Sequence, residues 1–212
     1  HTQTILDQSN ATSIFPLIRR IIRITLFIEF AGALLLFLYH RSFSGPNFAN
    51  IGEEIFYCIF HAVSAFCNAG FSLNADSLVY LSGNLLGNFI FIFLIISGGL
   101  GFSVIINLGQ QIKHLFSSAK GKQKILASRT RVFFRPLSRV TLQTKITLLM
   151  TIVLLVGGTL LFYAGEHDRL LRGYGPAESL SIALFQSATT RTAGFNTIPI
   201  SSLQPVTLVI ML

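Results

Sequence analysis

The sequence contains few charged residues, which make up only 11% of its 212 positions, whereas 51% of the positions are hydrophobic. A soluble domain usually has about a quarter of its residues charged. The scarcity of charge therefore argues against a water-soluble fold and indicates a protein whose main solvent is lipid. We expect the lipid bilayer to be its principal surroundings.

Cysteine is also scarce. The two cysteines, Cys58 and Cys67, lie in one apolar segment, so the sequence indicates packing roles and no disulfide framework. There is no zinc-ligand spacing, and aromatic residues are not interleaved with basic ones as they are in RNA-binding modules. Despite the net charge of +8, nucleic acid is therefore not an expected partner.

The positive charge is concentrated in two places. Nine of the sixteen Lys and Arg residues lie within residues 113–145, and three more lie within residues 19–23. Both clusters flank apolar runs, which is where membrane proteins place cytoplasmic charge. We expect residues 1–20 and 113–145 to be cytoplasmic. The second stretch is then a linker that is either simply solvated or in contact with anionic lipid headgroups or a partner subunit.

Three apolar runs are long enough to cross a bilayer, because a spanning helix needs about 20 residues. These runs are Ile21–Tyr39, Leu85–Leu108 and Ile146–Tyr163, and a fourth begins near Leu203. The sequence starts at His1 without a basic leader and stops inside this fourth run. We therefore expect a piece of a longer protein, whose insertion is directed by the spans themselves.

Two shorter apolar runs, Ile55–Phe66 and Ala177–Ala188, lie between the long ones. At about a dozen residues each, they are short for spanning helices. If Ile55–Phe66 crossed the membrane, the two basic clusters would fall on opposite sides. Both short runs are therefore predicted to be re-entrant half-helices that enter from the outside and return there.

The second half of the chain repeats the first at an offset of 124 residues. This offset superposes Tyr39 on Tyr163, Glu54 on Glu178, and one Ala-Gly-Phe tripeptide on another. A repeat of this length indicates duplication of a helix–short helix–helix module. The predicted fold is an all-α membrane protein with helix–pore loop–helix repeats. Its parts are a first unit at residues 1–112, the linker at 113–145, and a second, truncated unit at 146–212.

Each tripeptide follows a short helix whose C-terminus would point at the middle of the bilayer, where its partial negative charge favours a cation. Non-helical backbone at that depth is tolerated only beside protein or a water-filled cavity. A dehydrated K⁺ needs a ring of carbonyl oxygens, and glycine supplies unusual backbone angles with no side chain in the ion path. The phenylalanine can pack behind the turn. The predicted selectivity filter comprises Asn68, Ala69, Gly70 and Phe71 in the first loop and Thr192, Ala193, Gly194 and Phe195 in the second.

Three acidic residues are candidates for further roles. Glu29 lies inside the first span, where an ionisable group is costly, and it either makes a structural hydrogen bond or lines the ion path. Glu54 and Glu178 begin the two short helices. They are expected to complement the helix N-termini, with attraction of cations to the outer mouth as the alternative.

One basic residue and a group of glycines also lie at informative positions. Arg191 stands next to the second tripeptide, where a bare cation would repel K⁺, so it is expected to point behind the turn to an acidic or carbonyl partner. Gly98, Gly99 and Gly101 interrupt the second span and permit either close helix contact or a bend.

Two other classes of function remain open at this point. His61 and Ser64 lie three residues apart on the first short helix, which is the spacing of a nucleophile pair in an intramembrane enzyme. No acidic orienting residue is evident near them. A subunit of a tetrameric cation channel is the other alternative, but such a subunit carries one pore loop per chain and this sequence has two.

The two loops resemble those of one family. Residues 60–71, Phe-His-Ala-Val-Ser-Ala-Phe-Cys-Asn-Ala-Gly-Phe, resemble the second pore loop of the Trk/Ktr/HKT family of K⁺ transporters, and residues 189–197 resemble its third. The run Ser13–Arg20 resembles the entry to the second repeat in the bacterial Ktr-type branch. The resemblance implies four helix–pore loop–helix repeats in one polypeptide, of which this chain holds the second and most of the third.

The resemblance also implies a function and a set of partners. K⁺ is the expected transported ion and Na⁺ a stimulator, with no covalent cofactor, no covalent chemistry, and no metal site beyond the transported K⁺. The expected partners are the missing repeats of the same polypeptide, a second copy in a homodimer, and a cytoplasmic nucleotide-binding regulatory subunit. The expected location is the plasma membrane. Two loops cannot surround an ion as four do, so this piece alone is not expected to transport.

Overall fold

A computed structural model of the protein describes residues 2–43, 45–120 and 141–211, with side chains described at 14–43, 45–111, 141–209 and 211. Residues 121–140, most of the predicted linker, lie outside this description. The described residues form α-helices joined by turns and short 3-10 segments, so the all-α prediction is confirmed. The helices are α1 (Thr2–Ser42), α2 (Ile51–Phe66), α3 (Leu85–Gly99), α4 (Phe102–Lys120), α5 (Leu142–Glu166), α6 (Pro176–Thr189) and α7 (Pro205–Met211).

Helices α1 and α5 contain the first and third of the predicted spans, Ile21–Tyr39 and Ile146–Tyr163. The part of α1 from Ile14 to Ser42 and the whole of α5 are long and apolar enough to cross a membrane. Large apolar side chains on both helices face outward, and Phe27 and Leu142 are each 71% exposed. An outer face of this kind suits contact with lipid, because lipid tails solvate apolar side chains that water would not.

The short helices α2 and α6 lie beside these spans, with α2 packed on α1 and α3, and α6 packed on α5 and α3. At about 1.5 Å per residue, their 16 and 14 residues are shorter than the roughly 30 Å hydrocarbon core of a bilayer. The N-terminus of α2 is capped by Asn50, whose Oδ1 accepts a hydrogen bond from the Glu53 N–H at 2.9 Å. Pro176 opens α6, where its missing N–H costs nothing.

The predicted span Leu85–Leu108 is not one continuous helix. Helices α3 and α4 are bent by 105° relative to each other at the break around Gly101, whose φ is +82°. Gly98 serves close packing instead, because a Cβ at this position would collide with the Phe66 carbonyl oxygen of α2. The glycine group therefore provides both a bend and a close contact, at different positions.

The two units share one core. Phe185 and Ala188 of α6 and Phe195 of the following turn are fully buried in a cluster with residues of α1, α2 and α3. The buried Asn88 of α3 donates a hydrogen bond from Nδ2 to the hydroxyl of Ser181 on α6 at 3.0 Å. The relative position of the two units is therefore fixed by apolar burial together with a paired polar contact.

The loops beside the short helices add further contacts between the units. The Leu78 N–H donates to the Asn196 carbonyl at 2.9 Å, and the Asn196 N–H donates to the Ser77 hydroxyl at 3.1 Å. Ser82 and Tyr174 share a hydrogen bond of 2.8 Å between their hydroxyl oxygens. The segment after the second tripeptide is thus hydrogen-bonded to the loop that follows the first.

The close approach at Gly98 generates a stability prediction. Gly98→Ala forces a methyl group against backbone, so we expect it to destabilise the full-length protein by about 1–3 kcal/mol, the usual cost of overpacking. The measurement is thermal unfolding of the detergent-solubilised protein. Gly157→Ala on α5 is the matched control, since a Cβ there meets nothing within 4 Å, and it should leave the melting temperature unchanged or raised. Equal melting temperatures for the two variants would contradict the packing described above.

Candidate ion-conduction site

The two Ala-Gly-Phe turns lie against each other. A Cβ built on Gly70 would lie 2.5 Å from the Ala193 carbonyl oxygen and 3.0 Å from the Gly194 Cα. A Cβ built on Gly194 would lie 3.4 Å from the Gly70 Cα. The structure therefore brings the two predicted loops together, and at Gly70 it leaves no room for a side chain.

In both turns, residues with a positive φ angle alternate with a residue whose φ is not positive. Asn68 and Gly70 have φ values of 52° and 70°, whereas Ala69 between them is not in the positive region. The second turn follows the same pattern at Thr192 and Gly194, with φ values of 84° and 77°. In an ordinary strand successive carbonyls point to opposite sides. Inverting every second residue directs them to one side, which is an arrangement suited to binding a cation.

Thr192 is the least expected member of this pattern. A positive φ is tolerated by glycine and, less readily, by asparagine, but for a β-branched residue it is a genuine outlier. Backbone strain of this kind costs about 1–3 kcal/mol and persists only where the surrounding structure imposes it. The sequence gives no sign of this strain, because threonine by itself predicts an extended backbone.

The carbonyl oxygens of the turns fall into two groups. Those of residues 68–70 and 192–194 accept no hydrogen bond from any described residue. The carbonyl of Phe71 accepts a bond from the Ser64 hydroxyl at 2.8 Å, and that of Phe195 accepts one from the Thr189 hydroxyl at 2.7 Å. Ala69, Thr192 and Gly194 are exposed, so carbonyls of the first group are accessible to a ligand.

The two phenylalanines occupy different surroundings. Phe195 is fully buried and packs on Phe91 and His61, with ring centroids 5.6 and 6.5 Å away. It lies behind the second turn, as expected. Phe71 is 69% exposed, so within the described residues the expected packing behind the turn is found only in the second unit.

Equivalent residues of the two units are separated by 125 positions in the short helices but by 124 in the turns. The N-caps Asn50 and Gly175 are separated by 125 residues, not 124, and so are Glu53 and Glu178. Both of these carboxylates accept a backbone N–H at the helix start, from Ala49 at 2.8 Å and from Gly175 at 2.9 Å. The helices therefore align at 125 and the turns at 124, and the first unit has one extra residue between them.

This register corrects the pairing of Glu54 with Glu178, although Glu54 does lie in the first turn of α2, as expected. Its structural counterpart in the second unit is Ser179, and the capping carboxylate of α2 is Glu53. Glu54 instead forms an ion pair of 3.0 Å with Arg41 at the end of α1. The expectation that Glu178 complements the start of its helix is confirmed.

His61 and Ser64 do not form a nucleophile pair. The Ser64 hydroxyl donates to the Phe71 carbonyl, and the two ring nitrogens of His61 lie 2.9 Å from the Tyr57 carbonyl oxygen and 3.1 Å from the Ser72 hydroxyl. Both side chains are directed toward the segment that follows α2. Neither is positioned to activate the other.

Arg191 points away from the turn, but its partner differs from the prediction. Its Nη2 donates to the hydroxyl of Thr151 on α5 at 3.1 Å, and among the described residues no carboxylate forms an ion pair with it. Arg191 also lines a cavity of about 640 Å³, together with Gly99, Gly158, Ser187 and Thr192. A fixed positive charge therefore borders the space next to the second turn.

Two polar side chains, Asn68 in the first turn and Glu29 on α1, make contacts at or beside this turn. With its amide oriented to satisfy both neighbours, Asn68 donates to the Ile95 carbonyl at 3.3 Å and accepts from the Gly99 N–H at 3.2 Å. The sequence did not predict this insertion of a turn residue into the last turn of α3. Glu29 lies within 4.0 Å of the Cys67 thiol, which supports the hydrogen-bonding alternative for this residue.

Comparison with known proteins identifies the group to which this architecture belongs. The family model described as "TrkH: Cation transport protein" matches residues 1–212. The Potassium/sodium uptake protein NtpJ of Enterococcus hirae is 31% identical over 194 residues, which cover 91% of this chain and 37% of that protein. The Ktr system potassium uptake protein B of Vibrio alginolyticus is 31% identical over 209 residues, covering 98% of this chain and 40% of that protein.

A third relative gives the same result. The Ktr system potassium uptake protein B of Bacillus subtilis is 30% identical over 212 residues, which cover 99% of this chain and 41% of that protein. The chain therefore spans about two-fifths of the length of these relatives. The family is one of cation transport proteins and not of enzymes, and the predicted resemblance to Trk and Ktr proteins is confirmed. This chain belongs to the TrkH family of cation transport proteins.

Proposed function

We propose that the chain forms part of a K⁺-transport pathway in the plasma membrane, in which backbone carbonyls of the two turns replace water around the ion. The observation that carries this proposal is the pair of facing turns with alternating handedness and unpaired carbonyls at residues 68–70 and 192–194. Rings of such carbonyls are how K⁺ filters replace a hydration shell.

Within this proposal the eight filter residues have two roles. The carbonyls of residues 68–70 and 192–194 bind the ion, while those of Phe71 and Phe195 hold each turn to its short helix. The position of the Ala193 carbonyl, 2.5 Å from a Cβ built on Gly70, supports a direction toward the space between the turns. The C-termini of α2 and α6 add partial negative charge near the ion.

The relatives support K⁺ as the ion, since all three are named as potassium or potassium/sodium uptake proteins. Because this chain spans about two-fifths of their length, we propose that further repeats of the same polypeptide complete the ring around the ion. The contact between two turns of one chain weighs against the tetrameric one-loop alternative. Na⁺ acts as a stimulator in this proposal.

The proposed assembly follows from the same relatives. Two of them are named as proteins of a Ktr system, which supports a partnership with other components. We propose a homodimer of the full-length protein with a cytoplasmic nucleotide-binding regulatory subunit. Residues 1–20 and 113–145 would then face the cytoplasm, where their positive charge is available to that subunit or to anionic lipid.

Substitution of the turn glycines tests the proposed filter. Gly70→Ser and Gly194→Ser place a side chain at positive φ in the contact between the turns, so we expect both to abolish K⁺ uptake or to reduce its preference over Na⁺. The measurement is growth and ion uptake of a bacterium deficient in K⁺ uptake and complemented with the full-length protein. Gly173→Ser, in an outer 3-10 turn with nothing within 4 Å of the added Cβ, is the control. Normal uptake and selectivity in both filter variants would refute the proposal.

The proposed topology predicts which residues a membrane-impermeant reagent can reach. In a full-length protein whose native cysteines are replaced, Asp76→Cys in the first outer loop should react with an impermeant maleimide added to intact cells. Ser128→Cys in the basic linker should react only after the cells are made permeable, because positive loops stay inside. Labelling of Ser128→Cys in intact cells would contradict the proposed cytoplasmic location of the linker.

A further inference from the structure

Each short helix carries two polar side chains spaced by three residues. They are His61 and Ser64 on α2, and Gln186 and Thr189 on α6. This spacing places both members of a pair on one helix face. All four side chains are buried, and His61 and Gln186 are fully inaccessible to solvent. Buried polar groups in apolar surroundings are costly unless they are paired, so their partners matter.

The partners in both units lie in the segment at and directly after the turn. Ser64 and Thr189 hold the carbonyls of Phe71 and Phe195, a contact that we name the carbonyl tether. His61 Nε2 lies 3.1 Å from the Ser72 hydroxyl. Gln186 Nε2 donates to the buried hydroxyl of Thr197, at 3.4 Å. Each of the last two contacts joins residues eleven apart, and we name it the downstream tether.

The offset of 125 residues makes His61 and Gln186 counterparts, as it does Ser64 and Thr189. The offset of the tripeptides, 124, would instead pair His61 with Phe185, whose side chain has no polar group. Because the turns align at 124, Ser72 corresponds to Asn196, so the two downstream tethers reach loop positions one residue apart. The two units therefore build similar pairs of tethers from different residue types. A similar contact is made by histidine in one unit and by glutamine in the other. We infer that the bridge from the short helix to the following loop is important, and not the type of side chain that makes it.

The tautomer of His61 fits this role. Its Nδ1 lies 2.9 Å from the Tyr57 carbonyl oxygen, which can only accept, so Nδ1 carries the proton. Nε2 of the neutral ring is then an acceptor. The Leu73 N–H donates to it at 3.4 Å, so Nε2 faces both the hydroxyl of Ser72 and the backbone of the next residue. A glutamine amide has both a donor and an acceptor, so it can also bond to a hydroxyl group of the loop. Gln186 uses its donor for this contact, and its buried Oε1 has no hydrogen-bond partner among the described residues.

The two tethers fix the chain directly after each turn. Ahead of the first turn, the Ala69 N–H donates to the Ser64 carbonyl at 2.9 Å, and the Ala193 N–H donates to the Thr189 carbonyl at the same distance. The carbonyls between these points are thus held from both sides. Na⁺ is smaller than K⁺, so carbonyls that can move inward accommodate it more easily than carbonyls that are held.

We propose that His61 and Gln186 are equivalent positioning residues, which hold the downstream end of each turn and thereby set the preference for K⁺ over Na⁺. This inference rests on the proposed function of the turns as a K⁺ filter. Neither side chain touches the ion. Both side chains act through the loop segment that follows each turn.

Exchange of one counterpart for the other tests the inference in the first unit. In the full-length protein expressed in a K⁺-uptake-deficient bacterium, His61→Gln should retain the ratio of K⁺ to Na⁺ uptake, because glutamine does this work in the second unit. His61→Leu keeps the volume but removes the contact. We expect it to lower the ratio roughly three- to tenfold, which corresponds to the loss of one hydrogen bond. His61→Gln as damaging as His61→Leu would overturn the proposal.

A double-mutant cycle tests the second unit. Gln186→Leu and Thr197→Val are near-isosteric and each removes one end of the downstream tether. If the tether is the cause, each variant lowers the ion ratio, and the double variant is no worse than either single one. Additive losses, or no loss of the ratio in correctly folded variants, would overturn the proposal. A merely structural role would reduce uptake of both ions equally and leave the ratio unchanged, which would also overturn it.

Gly70→Ser and Gly194→Ser, measured beside these variants, distinguish a failure of the proposed filter from a failure of the proposed positioning role. If Gly70→Ser and Gly194→Ser leave both K⁺ uptake and the ratio unchanged, the proposed filter itself fails. If those two change it while the tether variants do not, the filter stands and the positioning role fails. The amount of protein in the membrane and its gel-filtration profile establish folding. Should His61→Leu or Gln186→Leu fold poorly, Ser72→Ala and Thr197→Val, which remove only a hydroxyl group or its hydrogen-bonding capacity, decide the question.

Discussion

The structure depends on one constraint, which is that the backbone carbonyls of the two facing turns, at residues 68–70 and 192–194, accept no hydrogen bond from any described residue. Backbone at positive φ, as at Thr192, is strained, so the protein must hold the turns by other means. Positive φ at every second residue of the segments 68–70 and 192–194 suits carbonyl oxygens that face one side of each turn. The tethers to α2 and α6 and the approach of Gly70 to Gly194 then hold the turns in place.

Much of the remaining fold supplies the rigidity that this arrangement needs. Helices α3 and α6 are joined by the buried Asn88–Ser181 hydrogen bond, and Phe195 of the second unit fills a space lined by Phe91 and His61 of the first. The shared core therefore links the position of one turn to the other. The strained Thr192 is tolerable in such surroundings, since strain persists only where neighbouring contacts impose it.

The broad architecture could be predicted from the sequence because its causes are local and repeated. Low charge and long apolar runs predicted the helices α1 and α5, and the two tripeptides predicted where the turns lie. The change of offset from 124 to 125 could not be predicted in this way. The identical tripeptides align the turns, whereas the helices are aligned by Glu53 with Glu178 and by His61 with Gln186, and the single extra residue between helix and turn hides that relation. For this reason the sequence aligned Glu54 with Glu178, whose structural counterpart is Glu53.

The break between α3 and α4 shows a second limit. A cluster of glycines permits a bend or a close contact, and the sequence does not say which glycine does which, because the answer depends on what packs opposite. Gly98 meets the Phe66 carbonyl oxygen, while Gly101 has open space and a positive φ. The same holds for Arg191, whose partner, the Thr151 hydroxyl, lies forty residues away in sequence.

The most direct test of the central claim is a crystal structure of the full-length protein with Rb⁺ or Tl⁺ in place of K⁺, in which the ion is located by its anomalous scattering. We expect anomalous density between the two turns, within coordination distance of carbonyl oxygens of residues 68–70 and 192–194. An ion held by side chains elsewhere, with none between the turns of a transport-competent protein, would contradict it.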